Sequence, residues 1–534
     1  MKRLSAWFLV VIMLLAVLTG CSPKTPAPGP STGDKIMRLG GDYGTDGHID
    51  AMKSTYPRVA TPYSFICEPL MGQRPFTYEM YPLLVKDIPT VSDDGLTYSF
   101  ELKQGIKFSD GVELTSKDVE FTFNRFFDPA TKCLNTWMID FILGAEEMMN
   151  GEAETLAGFK VIDDYKFEIT LASPYASFAN ALANTYLGIV PKHAYEAAGD
   201  RWGIDILIGT GPYILESFDP ETKIVMKANP SYNHNVYNGR TLKPNVDAFE
   251  FYNMDENTRY LEFEAGNIDY TGLGLTMAQE YLDNPNFADC VKVQNSLSQV
   301  FFVMNNGKKP FDNPKVREAV AYAFDNKKIA ESYFKNLWPA VNTILPEGVP
   351  GYDPSLPAFE YNPEKAKALL AEAGYPNGIE FEMTCVGTGI FYQVYQIMQQ
   401  DFAECNMTAK IDQVESGVWF DKRTTGNVQS FLCDWGPSFP NADTFMYGFF
   451  HSASADFLST GHRNPEFDKK VMAARAITDP DQQQEAYAEL ERYLSQEAFI
   501  GVPGFNIPSV FLLQDRVHNW VDGNRDGLMF VIID

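Results

Sequence analysis

The sequence is short of the residue types that most catalysis and cross-linking need. It has 6 histidines in 534 residues, and His48, His193, His234, His451, His462 and His518 are scattered without the spacing of a metal site. No HExxH run is present, and the one GxSxG match, Gly29 to Gly33, lies in a Pro-rich stretch where no strand-to-helix elbow forms. The cysteines Cys21, Cys67, Cys133, Cys290, Cys385, Cys405 and Cys433 contain no CxxC pair, and their wide spacing argues against zinc. After Cys21, buried free thiols and disulfides are both open readings. Basic residues are few, 43 Lys and Arg against 70 Asp and Glu, for a net charge of −27. Such a surface repels nucleic acid, so no nucleic-acid partner is expected. Beyond residue 34 there is no second long apolar run, no short-period repeat and no low-complexity segment, which argues against a membrane-spanning body and against a solenoid. Asp and Glu are plentiful, but nothing singles out the carboxylate pair of a glycosidase. The expectation is a protein without catalytic residues, metal or cofactor.

What is present begins at the N-terminus. Lys2 and Arg3 precede an apolar run from Ala6 to Leu18, then Leu18-Thr19-Gly20-Cys21. The run is shorter than the roughly 20 residues of a spanning helix but fits the apolar region of an export signal. We read residues 1–20 as a lipoprotein signal peptide, Cys21 as the lipidated residue, and 21–34 as a Pro/Gly/Ser/Thr tether that buries no core. The mature protein is then expected outside a membrane, held to it by lipid, at a cell surface or in a periplasm.

About 500 residues remain, enough for two to four domains. Leu96, Tyr98, Phe100 and Leu102 alternate with polar residues as a half-buried strand, and Thr115 with Asp118 makes a capping box. Tyr213–Phe218 and Lys223–Ala228 flank a short loop and predict a hairpin. Helical spacing predicts one helix over 314–329, capped by Asn313 with Pro314 first, and another from Asn362-Pro363 to a stop at Gly374. Interleaved strands and helices over this length indicate an α/β protein with mixed sheets.

Ordered blocks then become specific. They include Glu68-Pro69-Leu70, Asp93 to Phe100 leading to Gly105 to Gly111, Lys117 to Phe121, Gly209-Thr210-Gly211-Pro212-Tyr213, Asn229 to Tyr232 and Ala265 to Asp269. Pro310-Phe311, Lys315 to Ala319, Glu364 to Tyr375 and Asn464 to Asp468 complete the series. In order and spacing the chain from about Lys35 onward resembles the large extracytoplasmic solute-binding proteins of ABC transporters, the peptide/nickel-binding family. The resemblance implies a two-lobed fold of the type II periplasmic-binding-protein kind with an extra inserted domain, acting as a monomer. Its implied divisions are domain I over 35–60, 185–295 and 505–534, inserted domain II over 61–184, and domain III over 296–504. The implied function is capture of short peptides or a related solute by lobe closure, followed by delivery to an ABC permease and its ATPase. A saccharide, amine or nickel chelate is the alternative cargo, and a sensory receptor or an exported hydrolase is a more distant reading.

For peptide-binding relatives the resemblance implies a Trp followed three residues later by an Asp that pairs with the peptide ammonium. Here Trp435 fits the first position, but Ser438 takes the acidic one. A buried ammonium needs a carboxylate, so Asp434 or Asp443 would have to compensate, with Asn441 in the same segment. Trp419 and Arg423 share a face of an expected helix over 418–424, where Arg423 would hold a ligand carboxylate. Tyr56, Tyr63 and the Gly41 to Asp50 loop are expected, by position alone, on the facing wall.

Overall fold

The structure is a computed structural model in which residues 35–43, 47–54, 59–74, 79–437, 440–522 and 525–534 are described. The signal, Cys21, the tether, Tyr56 and Ser438 lie outside the described residues.

A seven-stranded mixed sheet runs in the order Val291–Gln294, Ser509–Leu513, Tyr270–Gly272, Ile36–Gly41, Ala248–Asn253, Lys223–Ala228, Tyr213–Asp219. Ile36–Gly41 is parallel to both its neighbours, and the other pairs are antiparallel. The alternating apolar residues Phe249 and Phe251 pack with Phe65, Tyr213 and Trp202 in the core beneath this sheet. The Gly209-Thr210-Gly211 motif lies on the backbone ending the helix Ala60–Ile66. A Cβ on Gly209 would sit 2.0 Å from the Ile66 carbonyl oxygen, and one on Gly211 would sit 2.3 Å from that of Phe65. Only glycine allows so close an approach.

Met52 and residues 70–189 build a separate core around a four-stranded antiparallel sheet, Thr90–Val91, Thr97–Glu101, Lys166–Thr170 and Phe159–Val161. The expected Thr115–Asp118 capping box starts the helix Ser116–Phe127, with the Thr115 amide donating to Asp118 at 3.0 Å.

Residues 297–505 supply two further cores on either side of a three-stranded antiparallel sheet whose central strand is the wholly buried Gln299–Met304. Ser430–Trp435 and Gly501–Asn506 flank it. Beside it, Ile379–Val386 and Met407–Val414 pair in parallel, with the helix Ile390–Glu404 between them in sequence. The chain crosses between the seven-stranded and three-stranded sheets twice, at residues 295–298 and 507–508. The two crossings are stitched together. The Ile507 amide donates to Ser298 O at 3.0 Å, Ser296 Oγ to Ile507 O at 2.5 Å, and Asn506 Nδ2 to the carbonyls of Ser296 and Ser298 at 3.0 Å each.

The six cysteines among the described residues are free. No described helix is long and apolar enough to cross a membrane.

Candidate functional site

Four elements of the 297–505 unit converge on a cavity of about 310 Å³: the end of the strand Ile379–Val386, the start of the helix Ile390–Glu404, the helix Ser416–Thr424 and the strand Ser430–Trp435. Tyr395 fixes its floor. Wholly buried, it donates from its hydroxyl to Thr384 O at 3.1 Å and accepts from the Leu432 amide at 2.7 Å, tying the first and last of these elements together. Trp419 lines the wall, set edge-on against Phe431 with ring centres 5.3 Å apart.

Charge in this cavity is separated. Arg423 lines it with a buried Nε that has no hydrogen-bond partner among the described residues. The helix Ile390–Glu404 starts at Gly389 with neither a side-chain cap nor an acid in its first turn, so its N-terminal partial positive charge is not neutralised by its own residues. Opposite in sign is Asp434, exposed at the cavity wall, yet enclosed enough that lost hydration raises its carboxyl above the usual range. No side-chain partner of Asp434 is found among the described residues. A group bearing both an ammonium and a carboxylate complements such a surface.

Of the residues expected from sequence, Trp419, Arg423 and Asp434 therefore meet in one cavity. Trp435 follows Asp434 on the same strand and so faces the other way. Its indole N–H donates to Thr444 O at 3.1 Å, and its ring packs 5.0 Å from that of Phe449.

Asn441 and Asp443 go elsewhere. Asp443 is buried 3.0 Å from Arg475 Nε, and burial, only partly opposed by Arg475, raises its carboxyl to about 6. Asn441 receives the Asp443 amide on Oδ1 at 2.9 Å and donates to the Tyr175 hydroxyl at 2.6 Å. Asp443 is thus already paired with a protein cation, whereas Asp434 has no side-chain partner among the described residues. Tyr63 needs correction as a ligand-facing residue: it is wholly buried, and its hydroxyl donates to Gly188 O at 3.1 Å inside the core.

Two larger cavities flank the crossing segments, of about 630 and 790 Å³, and share Ser296, Trp520 and Val521. The first takes in Tyr43, from the expected Gly41 to Asp50 loop, together with Arg259 and Asp522. Arg259 presents a buried Nε without a partner, and Gln299, 2 % exposed at the second cavity, has an unpartnered Oε1. Sequence reasoning missed both. Arg259 sits one turn into the helix Glu256–Glu264, where it reads as a surface charge, and Gln299 opens an apolar strand with no motif around it.

Residues 79–457 match the family described as bacterial extracellular solute-binding proteins, family 5. The chain belongs to this family. The solute-binding protein is 28 % identical over 420 residues to the glutathione-binding protein GsiB of Salmonella typhi, covering 77 % of each chain. It is 27 % identical over 421 residues to GsiB of Escherichia coli strain K12, again over 77 % of each. Among solved structures it is similar to clavulanic acid biosynthesis oligopeptide binding protein 2, with TM-score 0.82, 20 % identity, and 94 % and 96 % of the two chains covered. The unliganded open form of the periplasmic murein tripeptide binding protein MppA gives TM-score 0.79 at 21 % identity, covering 94 % and 98 %. The fold is accordingly that of the type II periplasmic binding proteins, and the solute-binding protein is a binding component of the ABC-transporter class rather than a member of a catalytic family.

Proposed function

We propose that the solute-binding protein captures short peptides with free termini and hands them to an ABC permease and its ATPase. The observation that carries this reading is the placement in one aromatic-walled cavity of Asp434, without a side-chain partner among the described residues, and Arg423, whose buried Nε has no hydrogen-bond partner there. Asp434 would take the peptide ammonium in place of the acid missing at position 438, Arg423 and the helix N-terminus would face a carboxylate or carbonyl, and Trp419 would cover apolar side chains. The names of its relatives, a glutathione-binding and a murein tripeptide binding protein, point to the same class of cargo.

The lobes in this reading are domains I and II on one side, 35–60, 185–295 and 505–534 with 61–184, and domain III, 296–504, on the other. The separate cores and the paired crossings support that division. Lipidation at Cys21 would hold the protein near its permease and raise its effective concentration there.

Native mass spectrometry of the protein with a pool of di- to pentapeptides tests the cargo. Free peptides are expected to bind, the same pool after N-acetylation to bind at least tenfold more weakly, and Asp434→Asn to erase that preference, the scale of one charge-assisted hydrogen bond. Equal retention of free and acetylated pools would overturn the reading. Metabolic labelling with palmitate, lost in Cys21→Ala, tests the anchor.

A further inference from the structure

Tyr175 belongs to the core built by residues 70–189. Its carbonyl accepts from the Tyr98 hydroxyl at 2.8 Å, and its ring stands edge-on to Phe141 with centres 4.6 Å apart. Its hydroxyl and the face of its ring meet the 297–505 unit. Asn441 Nδ2 donates to the Tyr175 hydroxyl at 2.6 Å. The Arg475 guanidinium lies 4.8 Å from the centre of the Tyr175 ring and 3.9 Å from that of Tyr447, between an aromatic of one unit and an aromatic of the other. The next residue adds a main-chain link, Ala176 N–H to Arg475 O at 2.8 Å.

On the receiving side, Arg475 and Asn441 are also tied within their own unit. Arg475 is anchored by Asp443, 3.0 Å from its Nε, and Asn441 is oriented by the Asp443 amide. Tyr175, Asn441, Asp443 and Arg475 are each less than 9 % exposed. None of the four lines the cavity of Trp419, Arg423 and Asp434 or the cavities at the crossings. The contact joins two units with separate cores, is buried, and uses no group assigned to ligand.

We propose that Tyr175 and the Asn441–Asp443–Arg475 receptor form a latch that holds the two lobes together in the absence of ligand. Tyr175 and Arg475 are positioning residues in this role: they act on the equilibrium between open and closed lobes and touch no solute. A ligand then adds its own contacts to a closed state already populated, which tightens apparent affinity in proportion to that population. The latch rests on the two-lobed division but not on the identity of the cargo, so its failure and the failure of the peptide reading show in different measurements.

The test is small-angle X-ray scattering of the mature protein stripped of ligand by unfolding in guanidinium and refolding. The wild-type radius of gyration is expected to match this structure, in which the lobes are joined through Tyr175. Tyr175→Ala is expected to expand it, and Tyr175→Phe, which keeps the ring under Arg475 but loses the hydroxyl, to fall between the two. Melting followed by circular dichroism distinguishes lobe opening from unfolding. If Tyr175→Ala does not fold, the Phe variant alone decides, by expanding or by superimposing on wild type. A stripped wild type already as expanded as the Ala variant, or variants that scatter like a closed wild type, would overturn the latch.

Discussion

Glu491 offers a quantitative check on how burial of one carboxyl sets stability against pH. It lies wholly buried in the helix Pro480–Arg492 and accepts the Ile344 and Leu345 amides at 2.7 and 3.0 Å. Those amides follow the stretch Pro339 to Thr343 that lines the 790 Å³ cavity, so one carboxylate tacks that wall to the helix. Burial is the largest influence on it and raises its pKa from 4.5 to about 7, with the two amides opposing only in part. The folded protein therefore keeps the proton between about pH 4.5 and 7 while the unfolded chain has released it. The stabilisation is fully present below pH 4.5 and is lost as the pH rises through 7. At about 1.4 kcal/mol per pH unit that gap amounts to roughly 3 kcal/mol. Glu491→Gln removes the ionisation. Urea unfolding of both proteins from pH 4.5 to 8 is expected to show wild type losing about 3 kcal/mol relative to the variant across that range. A difference that stays flat with pH would refute the reasoning.

Trp419→Ala should weaken peptide binding by about 1 kcal/mol or more, whereas Trp435→Ala, which breaks the bond to Thr444 and the packing on Phe449, should lower thermal stability more than affinity. Calorimetric titration with a peptide recovered from the pool, beside melting curves, separates the two. Gly209→Ala places a methyl against the Ile66 carbonyl and should cost about 3 kcal/mol in denaturant unfolding or abolish folding, and a neutral result would show that the two backbones can part. Titration with Ellman's reagent should find Cys133, the one partly exposed thiol among the described cysteines, reacting first in the native protein. In denaturant it should find six thiols if Cys21 is lipidated and seven if it is not.

Local chemistry was legible where a residue acts on its near neighbours. The Thr115–Asp118 box, the hairpin around Asp219, and the helix from Pro363 to Glu372 with Gly374 beyond it at φ +91° all form where their residues indicate. The helix expected over 314–329 instead ends at Ala323. Phe324 turns extended, and Asp325 caps a second helix, Asn326–Ser332, by accepting the Lys328 amide. An acid inside an apolar period reads as a solvated position until its amide partner is seen. The same limit applies to the site. Trp419 and Arg423 share a short helix, so their common face followed from spacing, but what separates Asp434 from Asp443 is a partner far away in sequence. Arg475 claims Asp443, and Tyr175, 266 residues from Asn441, claims Asn441. Helical and strand periods carry no information at that range.

The double crossing at 295–298 and 507–508 bears on what a transporter can read from this molecule. One connection would behave as a ball joint, leaving the halves free to swivel in any direction. Two segments bonded side by side behave as the pins of a door and leave one easy swing, about the line that joins them. Opening and closing are then confined to a single angle. A permease that tests that angle reads closure without ever inspecting the cargo, which lets one docking surface serve solutes of differing side chains.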